Sequence, residues 1–171
     1  NSVKRNGKNC VLLLDDGSYF LGVGSGSFGD FLGEICFNTS ITGYQEILTD
    51  PSYFNQIINF TFPHIGVVGV NFEDYESDKI YASGCIINNP VSAASNFRSK
   101  MDFEKWLKLN KKVCVSNIDT RALTKRIRNL GACKALIHFP ENAFFEKMTN
   151  LKTKLMKFCL LYTSDAADDQ A

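Results

Sequence analysis

At 171 residues the chain is long enough to close one hydrophobic core of ordinary domain size. Its 44% hydrophobic and 22% charged residues exclude wholesale disorder and a fibrous architecture, and no apolar run approaches the ~20 residues of a bilayer-spanning helix. Nineteen basic against eighteen acidic side chains leave a net charge of +1, which excludes a surface built throughout to hold a polyanion and leaves room for a local basic patch.

In chain order, CVLLLDDGSYFLGVG reads as a hairpin, two apolar strands around Asp15, Asp16 and Gly17, where Asp-Gly supplies tight-turn chemistry. A glycine-rich loop, SGSFGDFLG, then leads to a short strand, EICFN. GYQEIL predicts about a turn and a half of helix, stopped because Asp50 precedes Pro51 and is pushed away from helical angles. FNQIINFTF reads as a strand with Ile58, Phe60 and Phe62 alternating against Asn59 and Thr61, one face buried and one polar. FPHIG turns the chain, NFEDYES is an acidic loop, and KIYASGCII is the next strand.

Ser99 is the expected N-cap of a helix over MDFEKWLKLN, where Phe103, Trp106 and Leu107 have helical spacing. After a strand VCVS, Asp119 caps TRALTKRIRNL, whose Leu123, Ile127 and Leu130 share one stripe and whose end is marked by Gly131. CKALIHF is the last strand-like run. From Glu141 onward, Phe144, Met148, Leu151, Leu155 and Phe158 recur at spacings of four, three, four and three, predicting an amphipathic helix that needs a partner surface. The end, CLLYTSDAADDQA, shifts to small and acidic residues without a period and reads as a non-native tail foreign to the fold. The expected organisation is an extension over 1–9, one strand-rich domain over 10–140, a helix over 141–158 and the tail over 159–171.

Candidate chemistry is sparse. Gly24, Gly26 and Gly29 have the GxGxxG spacing of a dinucleotide loop, but the residues after them, DFLGEICFN, read as loop and strand, so no helix dipole is available for a pyrophosphate. Arg121, Lys125 and Arg128 fall within an arc of about 60° on their helix, either a solvated face or a stripe for phosphates or an acidic partner; Arg126 falls nearer the apolar side. His138, in an apolar strand, reads as a satisfied core or edge histidine. His64 follows Pro63 in an aromatic turn without a nucleophile beside it. Ser52, in DPSY, has a neighbouring proline that stiffens the backbone and a tyrosine that can wall a pocket, which suits ligand contact better than attack. Spacing alone leaves an ordinary turn serine the simpler reading.

The six cysteines are scattered singly, with no CxxC pair and no histidine at metal-ligand spacing, so zinc is not expected and reduced, mostly buried thiols are. No secretory signal is visible, since the only early apolar run is Val11–Leu14. The expectation is a cytoplasmic protein, in which the sequons at Asn38 and Asn59 stay unmodified.

GEICFNTSITGYQEILTDPSYFNQIINFTFPHIGVVGVNFEDYES closely resembles the N-terminal domain of the small, glutamine-hydrolysing subunit of carbamoyl phosphate synthetase, and the likeness continues through ASNFRS and NIDTRALTKRIRNLGA. The resemblance implies an α/β fold of the layered, swivelling β/β/α type, strand-rich with about three helices. It implies a domain that packs against the large synthetase subunit and precedes a class I glutaminase domain, with no nucleic acid or membrane as partner. It also implies that Ser52 helps to bind glutamine at the border with the glutaminase domain. No cofactor is expected on this chain, because in the family the large subunit uses ATP and magnesium to make carbamoyl phosphate for arginine and pyrimidine synthesis. A glutaminase of this class needs a cysteine on a glycine-flanked elbow, and Cys159, in KFCLLY, lacks the glycines; no catalytic residue is expected in this chain. Two other readings stay open: a stand-alone binding module using the basic stripe, and a phosphate carrier at His64.

Overall fold

The structure is a computed structural model and describes residues 7–39, 44–61, 79–88, 97–142 and 144–169, the backbone alone at 44–45, 97–102 and 163–169. His64, Phe62 and the acidic loop NFEDYES lie outside the described residues.

The first apolar run forms β1 (Cys10–Leu14) and returns as β2 (Tyr19–Gly26), paired antiparallel with Leu13 opposite Tyr19. Gly17 supplies the positive φ of 91° that this turn requires. Strand β3 (Gly29–Asn38) begins after two residues, so the expected glycine-rich loop is mostly strand. A short helix α1 (Tyr44–Leu48) leads through a single 3-10 turn, Pro51–Tyr53, to β4 (Gln56–Phe60). Of the predicted KIYASGCII strand only β5 (Gly84–Ile86) is extended and paired. Helix α2 (Phe97–Leu109), β6 (Val113–Ser116), α3 (Thr120–Leu130), β7 (Cys133–Phe139) and α4 (Met148–Asp169) complete the order.

The seven strands close into a barrel in the order β1-β2-β6-β5-β4-β3-β7. Pairs along β3-β4-β5-β6 are parallel and the others antiparallel. Parallel neighbours need crossover connections, and α1 and α2 lie within two of them. This is the mixed, strand-rich α/β class that the sequence implies. No helix among the described residues is long and apolar enough to cross a membrane.

Strand alternation sorts the apolar residues into layers. Leu12, Leu14, Ile35, Ile57, Val113, Val115, Ala135 and Ile137 cluster inside the barrel, where Leu123 and Ile127 of α3 join them. Ile58, Phe60, Cys85 and Cys114 point the other way and meet Phe103, Trp106 and Leu107 of α2. Leu13 and Leu136 meet Leu151 and Leu155 of α4. At about 25 cal/mol per Å² of apolar surface, this sandwiching of the sheet between helices and its own interior is the main stabilising term.

Three local expectations are corrected. Asn59, expected on a polar face, is fully buried, because α3 covers that side of β4; its Nδ2 donates to Thr124 Oγ1 at 2.9 Å. Helix α2 begins at Phe97, which places Ser99 inside its first turn instead of at the cap. Helix α4 begins at Met148 instead of Glu141, because the preceding backbone donors are captured by side chains: Asn142 Oδ1 accepts the Phe144 N–H and His138 Nε2 accepts the Glu146 N–H. Phe144 therefore stands ahead of the helix, 74% exposed. The helix itself runs on to Asp169, past the composition shift at Cys159.

Candidate functional site at the Ser52 turn

The turn is built from the residues around Ser52 upward. Asp50 is extended (φ −79°, ψ 122°), as a residue before proline should be, and its Oδ1 accepts the Ser52 N–H at 2.9 Å. Pro51 supplies the fixed φ that opens a helical turn, and the Tyr53 and Phe54 N–H groups close it onto the Asp50 and Pro51 carbonyls at 3.0 and 3.1 Å. Asn55 then takes a left-handed φ of 60°, which asparagine tolerates, and donates its N–H to the Tyr81 carbonyl at 3.2 Å. Gly33 of β3 makes room for this bend, since a Cβ there would fall on the Asn55 carbonyl oxygen.

Ser52 stands exposed at the apex of this turn. Its N–H, and then its hydroxyl, hold the Asp50 carboxyl below the ordinary carboxylate range. That carboxylate is held at the start of the turn by the Ser52 N–H. A carboxylate held low is a weak base, so the arrangement can contact a polar ligand but is poorly suited to making the serine a nucleophile. Tyr53 is half-buried against the α2-side core, and its hydroxyl accepts from Asn38 Nδ2 at 3.3 Å.

Asn38 links this turn to the basic stripe. Its carbonyl accepts the Thr61 N–H at 3.0 Å and the Thr61 hydroxyl at 3.2 Å. Thr61 in turn lines a cleft of about 590 Å³ with Asp119, Arg121, Thr124, Lys125 and Arg128 of α3 and its cap. All three basic residues are exposed, and Arg128 lies 5.6 Å from the centre of the Phe37 ring. Arg126, expected to be more enclosed, is instead about half exposed but paired, with Nε and Nη2 each 3.0 Å from Asp16 Oδ2 at the hairpin.

Of the GxGxxG glycines, Gly24 and Gly26 serve close packing, and Gly29 takes a positive φ of 136°. Gly24 and Gly26 lie in β2 and Gly29 opens β3, without a following helix. A Cβ on Gly24 would stand 2.7 Å from the Phe139 ring, so β2 needs glycine there to close against the barrel filling.

His138 is the satisfied core histidine that the sequence predicts, 4% exposed. Because its Nε2 accepts the Glu146 N–H at 3.2 Å, Nδ1 carries the proton and donates to Asp30 Oδ1 at 2.6 Å. Lys154 of α4 donates to Asp30 Oδ2 at 2.5 Å and to Glu146 Oε2 at 2.8 Å. The His138 hydrogen bond first, and Lys154 after it, hold Asp30 below the usual carboxylate range. Sequence reasoning missed this cluster. Its only signal is the register that sets Asp30 opposite His138, which requires knowing that β3 pairs with β7.

All six cysteines are unbridged. Burial pushes the Cys10 thiol up, Cys36 to about 11 and Cys133 to about 12, and raises Cys159 as well. Cys114 is raised by its hydrogen bond with Cys85 and by burial. Thiols held up in this way are the opposite of activated nucleophiles. Among the described residues no three His, Cys, Asp or Glu side chains stand close enough to share a metal ion.

Against known proteins, residues 12–137 match the family model described as carbamoyl-phosphate synthase small chain, CPSase domain. Curated relatives named carbamoyl phosphate synthase small chain include those of Zymomonas mobilis, 50% identical over 134 residues, Caulobacter vibrioides, 48% over 139, and Thermotoga maritima, 48% over 130. The alignments cover 78%, 78% and 76% of this chain but only 36%, 36% and 33% of those relatives.

Proposed function

The chain belongs to the carbamoyl-phosphate synthase small-chain family, and we propose that it is the N-terminal, non-catalytic part of the small subunit of a glutamine-dependent carbamoyl phosphate synthase. The observation that carries this reading is the family match across residues 12–137, at about half identity to curated small chains. In the complete enzyme a downstream glutaminase domain releases ammonia from glutamine. The large subunit combines that ammonia with bicarbonate and ATP to form carbamoyl phosphate. The present domain packs against the large subunit, and its Ser52 turn borders the glutamine site.

Two structural features support the assignment. Ser52 is presented at an exposed apex whose backbone is fixed by Asp50, Pro51 and the room left by Gly33, so its hydroxyl can meet the substrate with little ordering cost. The raised thiols agree with the absence of a catalytic role for this part, since a thiolate nucleophile needs a lowered pKa and a nearby base. The test is glutamine hydrolysis by the purified 171-residue chain. The expected result is no ammonia release above a heat-inactivated sample, with activity appearing only in a small chain that continues into a glutaminase domain. Ammonia release by the short chain would overturn the non-catalytic reading.

A further inference from the structure

We propose that the Asp16–Gly17 peptide at the tip of the β1–β2 hairpin is a site of backbone modification, where aspartate converts to isoaspartate, and that Arg126 of α3 is the guard that holds the conversion in check.

The reaction needs only water. The Gly17 nitrogen attacks the Asp16 side-chain carboxyl carbon: a C–N bond forms, a C–O bond breaks, and the carboxyl hydroxyl leaves as water with the amide proton. Water then reopens the cyclic imide at either carbonyl. Opening at the backbone carbonyl routes the chain through the side chain, so the backbone gains a methylene with no net change in composition.

Three observations point to this peptide. First, it is the one Asp-Gly bond in the sequence, and its glycine leaves the attacking nitrogen unshielded. A Cβ built on Gly17 would meet only the end of the Lys152 side chain, at 3.8 Å. Second, the carboxyl is folded back over the turn, because Asp16 Oδ1 accepts the Ser18 N–H at 2.9 Å. That bond closes a ring that contains both the carboxyl carbon and the Gly17 nitrogen. Third, both reacting groups are tied. The Gly17 N–H donates to the Leu14 carbonyl at 3.0 Å, the Ser18 hydroxyl also donates to Oδ1, and Oδ2 receives Nε and Nη2 of Arg126 at 3.0 Å each. Burial works to raise the Asp16 carboxyl, but Ser18 and then Arg126 outweigh it and hold the group below the ordinary carboxylate range. Only the neutral acid can lose its oxygen as water, so these contacts keep the reactive form scarce.

The restraints differ in origin. Those from Leu14 and Ser18 lie within the hairpin and travel with it. Arg126 stands 110 residues away in the sequence and reaches Asp16 only while Leu123 and Ile127 seat α3 in the barrel. Isoaspartate at Asp16 is therefore a chemical record of α3 loosening from the hairpin.

The experiment incubates the folded 171-residue chain at neutral pH, wild type against Arg126→Gln. Isoaspartate at Asp16 is followed by peptide mapping with a protease that cuts before aspartate but not before isoaspartate. The same map resolves Asp16 from the Asn6–Gly7 bond, which gains mass on deamidation whereas Asp16 does not. The expected result is accumulation about fivefold faster in Arg126→Gln, the factor set by losing one partly exposed ion pair, with both proteins reacting at one common rate when denatured. Circular dichroism melting confirms that the variant is folded. The conservative Arg126→Lys variant, which keeps the charge but not the paired hydrogen bonds, is expected to fall between the two and carries the test if Arg126→Gln does not fold. Equal rates in the folded wild type and folded variants would overturn the role of Arg126, and absence of isoaspartate at Asp16 even in the denatured chain would overturn the site itself.

Discussion

Ser52 and Asp30 are two polar residues with opposite assignments, one facing outward and one holding the fold. At Ser52 the backbone is fixed by the Asp50 cap, so Ser52→Ala keeps the turn and removes only the hydroxyl. In a complete small chain, this substitution is expected to raise KM for glutamine about tenfold, the effect of one lost hydrogen bond, with kcat little changed. Steady-state kinetics checks it, and equal loss in kcat would instead mean a role in the chemical step. At Asp30 the carboxyl is held low by His138 and then Lys154, so the unfolded chain binds the proton more readily. Its contribution is complete above about pH 5 and is lost as pH falls through the folded value. Asp30→Asn is expected to cost about 1 kcal/mol or less at neutral pH, given partial exposure. Its urea midpoint should also fall less steeply on acidification than that of the wild type. Parallel curves for the two proteins would contradict the assignment.

Among the elements, α3 shows how one helix divides its faces. Asp119 caps it, Gly131 ends it with φ 75°, Leu123 and Ile127 enter the barrel, and its basic residues face out. Most of this is legible from the sequence, because capping, periodicity and glycine termination are local signals, although Arg126 and Leu130, read toward the apolar side, are exposed. Strands β6 and β7 are legible for the same reason. What local signals miss is anything decided by strand pairing. Asn59 reads as half of an alternating pattern, and only the packing of α3 over β4 buries it. The β2–β3 glycines read as a loop, yet their lack of side chains is what lets strands close against Phe139 and the Asn55 carbonyl. Ser52 could not be separated from an ordinary turn serine by spacing, and only resemblance singled it out. A stability test belongs here. Arg121→Gln removes a cation from the first turn of α3, so thermal melting is expected to show stability unchanged or raised by about 0.3–1 kcal/mol. A loss of more than about 1 kcal/mol would mean that Arg121 supports the fold itself.

On the scale of the whole molecule, the barrel presents the Ser52 turn and the basic cleft as neighbours, joined through Asn38, which binds Tyr53 on one side and Thr61 on the other. A domain with this arrangement can border a substrate site and contact a partner without chemistry of its own. Its relatives named small chain are a little over twice its length, since the alignments cover 76–78% of this chain but 33–36% of the three compared. On the role proposed above, association with the large subunit is the property on which that role depends. The most direct measurement is sedimentation velocity of the 171-residue chain mixed with the large subunit. The chain is expected to move into a faster, one-to-one species with the large subunit. A chain that sediments alone at every ratio, while a complete small chain binds under the same conditions, would contradict that role.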